Sequence, residues 1–308
     1  MVAVVLGLFV AAGVVTVFVS TSNSNKVQIQ LARLQEEGRF AITSLSRDLR
    51  MANAQYCNNT GGIARTGAGL PHLDHLRSPK VFARDLIGTE ASATSGALGD
   101  VTTVWGGTSG LALYPAVPTA PYSMPSFLFM RGYDCTLSAC TPVDPIAAGL
   151  PPMGKRPGDR VKGADVITVR YVNPSGGWSI GDAGSSLVAT DPVEGDISSI
   201  TLNPRSGEPP RTNFVNGDLV MLADCSNAQI FAANYSHTTG VLTLSDADNF
   251  TGHGPHPPLL SSAPRVFDVN RDFQTVTYYL KVVSVDDSGK APFTGALIRR
   301  VNGGLRAG

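Results

Sequence analysis

The sequence predicts an α+β fold, a long N-terminal α-helix packed on an antiparallel β-sheet head. Three features predict it: an uncharged apolar opening segment, a stripe of apolar residues at helical spacing directly after it, and a glycine- and proline-rich remainder carrying β-branched runs.

From Met1 to Ser20 there is no charged residue, and the first charge is Lys26. At a helical rise of about 1.5 Å per residue this stretch spans about 30 Å, the hydrocarbon thickness of a bilayer. Val4, Val5, Leu6, Leu8, Phe9, Val10, Val14, Val15, Val17 and Phe18 are expected to face lipid or neighbouring helices. A secretory signal peptide needs a basic opening region and a small-residue cleavage site, and the segment shows neither. Residues 1–25 are therefore read as a membrane-spanning or filament-core helix. Gly7 and Gly13 are the places where it can unwind, or where another helix can approach closely.

The polar run Thr21 to Asn25 carries no helix stop, and residues 26–56 read as the amphipathic half of the same helix. Leu31, Leu34, Gly38, Ile42, Leu45, Leu49 and Ala52 recur every three or four residues, which lays them along one face. Leu31, Leu34, Ile42, Leu45 and Leu49 are expected to pack against the sheet. Arg33 with Glu37 and Glu36 with Arg39 stand at helical neighbour spacing, suited to ion pairs on the exposed side. No proline precedes Pro71, so one helix is predicted to run to about Ala54.

Residues 57–160 read as a loop-rich connecting region with short strands, and residues 161–308 as a β-sheet head. Strands are predicted at Val101 to Trp105, Ser126 to Met130, Asp165 to Val172, Leu219 to Ala223, Ile230 to Ala233, Val241 to Leu244 and Thr275 to Val283, from β-branched and aromatic content. Lys+Arg 24 against Asp+Glu 24 leaves a formal net charge of +0. That balance lacks the electrostatic footprint of a nucleic-acid binder.

Motifs for chemistry are weak. His72 with His75 and His253 with His256 have spacings that suit zinc, yet both pairs lie beside prolines in loop-like sequence and are read as surface histidines. Asp246, Asp248 and Asn249 offer oxygens for calcium but lack the glycine and distant glutamate of a calcium loop, so a turn is expected there. In WGGTSG the glycine after Ser109 comes one position too early for a nucleophile elbow. No phosphate-binding or dinucleotide fingerprint is found. No catalysis, cofactor or metal is expected.

The phrase LARLQEEGRFAITSLSRDLRMA, Leu31 to Ala52, resembles the corresponding stretch of PilW-like minor pilins of type IV pili. ADVITVRY from Ala164, GDLVMLADCSNAQIFAA from Gly217, VTYYL from Val276 and LIRRVNGG from Leu297 resemble later strands of that family in the same order. The likeness leaves a gap from about Gly61 to Asp159. It implies a pilin-like head, a basic leader and a glutamate-bearing motif just upstream of Met1, and further strands beyond Gly308, so that the head is expected to be truncated at its C-terminal side. It also implies a structural subunit that primes pilus assembly at the tip. The partners implied are other minor pilins, the major pilin and a PilY-type tip adhesin, with inner-membrane lipid before assembly. The location implied is a single-pass inner-membrane protein with a periplasmic head, extracellular once in the pilus.

A J-like minor pseudopilin of a type II secretion system shares the helix and is the alternative within this class. A membrane-anchored surface-binding adhesin is another, with Trp105, Trp178, Tyr114 and Tyr122 as its candidate contacts. A head outside the cytoplasm permits disulfides, and the four cysteines allow three pairings. The favoured one joins Cys135 to Cys140 and Cys57 to Cys225.

Overall fold

The computed structural model describes residues 2–56, 58–59, 78–84, 86, 108–109, 112–113, 117–145, 149–181, 184–190, 195–211, 214–225, 227–252, 254–258, 263–285 and 289–302. The chain divides into two compact units, one reaching Asp48 and the other starting at Leu49. The fold is α+β. The predicted strand Val101 to Trp105, Cys57, His72, His75, His253, Trp105 and Tyr114 lie outside the described residues.

The helix runs from Val2 to Met51 without a break, a length of about 75 Å at the standard rise. It stops where Asn53 takes a left-handed backbone, φ 60°, a conformation asparagine tolerates better than most residues. The Ala52 N–H closes the last turn on the Leu49 carbonyl at 3.2 Å. The predicted end near Ala54 is therefore a few residues late, because Ala54–Gln55 already pairs as a strand with Asn58–Asn59.

Two large sheets dominate the described part of the body, beside two short two-stranded ones. In the first, Met130–Cys135, Val166–Val172, Phe273–Ser284 and Phe293–Val301 lie side by side and antiparallel. Cys140–Thr141 pairs beyond Met130–Cys135. Past the end of Val166–Val172, Arg160–Val161 takes over beside Phe273–Ser284, and Met153–Gly154 joins it in parallel. In the second sheet the order is Trp178–Ser179, Arg265–Asp268, Asp218–Ala223, Ala228–Ser236, Val241–Leu244, Ile197–Thr201 and Ser186–Ala189. Lys80–Val81 runs parallel to Ala228–Ser236 and carries Tyr122–Ser123 on its other side.

The central strands of the second sheet are covered on both faces. Met221 and Ile230 belong to the core that also takes in Val172 and Phe273 of the first sheet, while Val220, Leu222 and Phe231 belong to a core built around Trp178. Strands buried on both sides read as unbroken apolar runs, and LVMLA is such a run. A third, smaller core holds Tyr133, Cys135, Cys140, Leu150, Val166 and Tyr279.

The predicted strand Ser126 to Met130 is corrected. Ser126–Leu128 is a 3-10 turn and the strand starts at Met130, since Pro125 sets up the turn with its carbonyl accepting from the Leu128 N–H at 3.0 Å. Gly177, φ 74°, precedes Trp178, and a Cβ there would lie 2.5 Å from the Val266 carbonyl oxygen. Only glycine allows that approach of two strands.

Candidate functional site

The most conspicuous surface of the molecule is the first half of the helix. Val4, Val5, Leu6, Leu8, Phe9, Val10, Val14, Val15, Val17 and Phe18 are each between 56% and 75% exposed. Polar groups in this stretch are turned inward: the Thr16 hydroxyl donates to the Ala12 carbonyl and the Thr21 hydroxyl to the Val17 carbonyl, both at 2.8 Å. That back-bonding pairs the two hydroxyl protons within the helix itself. A Cβ added at Gly7 or Gly13 would meet nothing within 4 Å, so both glycines leave open surface on the helix. This one helix is long and apolar enough to cross a membrane, and none of its apolar window is buried.

The second half departs from expectation. Leu31, Leu34 and Ile42 are 53%, 67% and 68% exposed, while Leu45 and Leu49 are half-buried. The expected ion pairs of Arg33 with Glu37 and of Glu36 with Arg39 are absent from the ion pairs of the described residues. Long exposed side chains gain little from pairing in water, so entropy disperses them.

In the body, Cys135 and Cys140 are joined by a disulfide, with Cα atoms 4.0 Å apart. Cys225 is also disulfide-bonded, and Cys57, its expected partner, lies outside the described residues. Beside the first bridge sits a fully buried guanidinium. Arg160 places Nη1 3.4 Å from the Cys135 sulfur and 3.2 Å from the Cys140 sulfur, and donates Nη2 to Asp144 Oδ1 at 2.6 Å and Nε to the Pro151 carbonyl at 3.3 Å. The charge is tolerated in the core because a carboxylate and a carbonyl meet it. Arg131, half-buried on the strand that ends at Cys135, has its pKa lowered by burial, against the opposing effect of Tyr133.

A second polar cluster fixes the loop after Leu202 to the sheet. Trp178 is fully buried and donates its indole N–H to the Pro209 carbonyl at 2.9 Å, and Arg271 stacks 4.4 Å above its ring while gripping Asp272. Glu208 accepts from the Ser179 and Arg205 backbone N–H groups at 2.8 and 2.9 Å. Burial alone would raise its carboxyl, but these bonds, with Arg265 at 3.7 Å, outweigh it and hold the group below the usual carboxylate range.

Two of the clefts that open on the described part of the body are lined by lysines. One, about 630 Å³, is lined by Lys80, Ser123, Asp196, Asn227, Gln229 and His256 among others. Its wall is held by Gln229, whose side-chain amide donates to the His256 carbonyl and accepts from the His256 N–H, both at 2.8 Å. The other, about 700 Å³, is more apolar and is lined by Leu137, Val161, Val282 and Phe293, with Lys155 and Lys162.

The remaining sequence candidates resolve simply. Ser245 to Asn249 forms a turn: the Ser245 hydroxyl donates to Asp248 at 2.6 Å, and the buried Asn249 side chain pairs with both backbone groups of Ala232. Among the described residues no group of three or more His, Cys, Asp or Glu is placed to hold a metal ion. Trp178 is buried and Tyr122 half-buried against Phe250, the core packing that is the default for such rings, so neither supplies the open contact face that the adhesin alternative needs. Sequence reasoning missed Arg160, because nothing local marks an arginine for burial and its partner Asp144 is distant along the chain.

Comparison with protein-family models, with curated proteins and with solved structures finds no match in any of the three.

Proposed function

We propose that the chain is a membrane-anchored structural subunit of a type IV pilus, a minor pilin that primes assembly from a place in the tip complex, and that it is not an enzyme. One observation carries this reading: an unbroken helix from Val2 to Met51, apolar and exposed in its first half, leads directly into a β-rich body. The phrase from Leu31 to Ala52 and the later strand segments support the same family. In the membrane, Val2 to Ser20 sits as a single span with the body in the periplasm. On assembly the span exchanges lipid for the helices of neighbouring minor and major pilins, with a PilY-type adhesin beside the tip.

Such an exchange costs little, because one apolar surrounding replaces another, and close packing supplies its specificity. Gly7 and Gly13 suit that role by leaving room for a neighbouring backbone. The adhesin alternative loses the support of Trp178 and Tyr122. The J-like pseudopilin of type II secretion remains distinct by phenotype. Deleting the gene is expected to reduce surface filaments severalfold, restored by the full chain, with protein secretion unchanged. Loss of secretion with normal filament number would assign the chain to the secretion system instead.

A further inference from the structure

We propose that the Cys135–Cys140 bridge is a thiol-exchange site, opened by small thiols of the glutathione class, with Arg160 holding the departing Cys140 sulfur as a thiolate. The inference goes beyond the pilus-subunit reading and does not depend on it.

A disulfide opens by releasing a thiolate, and an apolar core penalises that charge. Cys135 and Cys140 lie in such a core, with Tyr133, Leu150, Val166 and Tyr279. A cation stands against them. Arg160 is fully buried, and its Nη1 lies 3.2 Å from the Cys140 sulfur and 3.4 Å from the Cys135 sulfur. An N–H facing a disulfide sulfur makes only a weak bond. The same N–H facing a thiolate makes a charge-assisted one, in surroundings of low dielectric. Arg160 therefore stabilises the open form more than the closed form, and the bridge is easier to reduce than its burial alone dictates.

The guanidinium is fixed for this contact. The Arg160 backbone N–H donates to the Pro152 carbonyl at 2.9 Å, Nε donates to the Pro151 carbonyl at 3.3 Å, and Nη2 donates to Asp144 at 2.6 Å. Nη1 is the remaining nitrogen, and it is spent on the two sulfurs. Asp144 draws on the same charge through Nη2, but the contact of Nη1 with sulfur stays direct.

The two sulfurs are not equivalent. The Asp165 carboxylate accepts from the Cys135 N–H at 2.9 Å, which sets a negative group beside Cys135 and disfavours a thiolate there. Cys140 is also the nearer to Nη1. A first glutathione thiolate therefore bonds to the Cys135 sulfur as the Cys135–Cys140 bond breaks, and the electron pair leaves on Cys140, against Arg160. A second glutathione thiolate attacks the glutathione sulfur of that mixed disulfide. Cys135 then departs with the electron pair and takes a proton from water. Two glutathione thiols are oxidised to one glutathione disulfide, and the bridge is reduced by the same two electrons. Residues 136–139 between the cysteines are exposed, so the bridge lies directly beneath a loop in water. Opening it frees Leu137, a wall of the apolar cleft.

The test equilibrates the full chain in lipid vesicles with graded ratios of reduced and oxidised glutathione, followed by acid quenching, alkylation and peptide mass spectrometry. The bridge is expected to open within the glutathione range, with the first adduct on Cys135. Arg160→Met is expected to make it at least about tenfold harder to open, a shift of about 30 mV. A body merely loosened by the substitution would shift the other way. The double variant Asp144→Ala with Arg160→Met strands no charge and is expected to shift in the same direction, which keeps the result readable if the single variant fails to fold. A bridge closed throughout the glutathione range, a first adduct on Cys140, or a midpoint unchanged or eased in both variants would overturn the exchange site.

Discussion

Lysine at both Val10 and Val14 will release the chain from the membrane. Both side chains lie on one face near the middle of the apolar half, 65% and 64% exposed, and the apolar stretch around them carries no acidic residue to receive a charge. A charged residue at the centre of a span costs about 2.5–3.5 kcal/mol, so the pair is expected to cost about 5–7 kcal/mol. Vesicle flotation should find the unaltered chain in the lipid fraction and most of the doubly substituted chain at the bottom of the gradient. Flotation unchanged by the two lysines would show that the apolar surface is covered by protein rather than lipid.

The second large effect concerns Asp144. Asp144→Ala leaves the Arg160 guanidinium fully buried without its carboxylate. Breaking such a pair costs about 3–5 kcal/mol; the low end applies here because the Asp144 side chain is 37% exposed and partly solvated in the folded state. For a body of this size about 3 kcal/mol lowers Tm by about 6–12 °C. Adding Arg160→Met removes the stranded charge and fills its space with an apolar chain, so the double variant should melt above the single one. Thermal melts of the four proteins in the cycle decide the matter. Equal melting of the single and double variants would mean that Arg160 finds another partner.

The contrast between these two regions explains what the sequence makes legible. The helix is readable because its signals are local: an uncharged stretch, then a repeat of three and four; its end is less so, since Asn53 turns the chain with no proline or glycine to mark the stop. Asp218–Ala223 is readable because burial on both faces leaves the apolar run LVMLA, and Val166–Val172 because its β-branched and aromatic residues outweigh the buried Arg170. Ile197–Thr201 and Ser186–Ala189 are not, since their serines face outward and dilute the β-branched pattern. Arg160 is illegible for a stronger reason. Its burial depends on Asp144 and on a disulfide, and although all of them lie within residues 135–160, their spacing follows no helical or strand period that would mark them as neighbours.

The two surface clefts show the same limit. Lys80, Ser123 and Gln229 meet because three strands place them in register, and Leu137 meets Val282 and Phe293 only after the first sheet forms. The apolar stripe of Leu31, Leu34 and Ile42 was readable as a helix face, while its surroundings were not. Periodicity reports that a face is apolar and is silent on what covers it.

The central claim is that the helix crosses a bilayer over its first half and stands in water over its second. Spin labels placed singly from Val4 to Ile42 in the vesicle-inserted chain, read for contact with oxygen and with a water-soluble nickel complex, measure this directly. The account predicts oxygen-rich, nickel-poor environments through Phe18, a crossover between Thr21 and Lys26, and nickel access at Glu36 and Phe40. Nickel access at Phe9, Val10 and Val14, or labels there immobilised and hidden from both reagents, would contradict it.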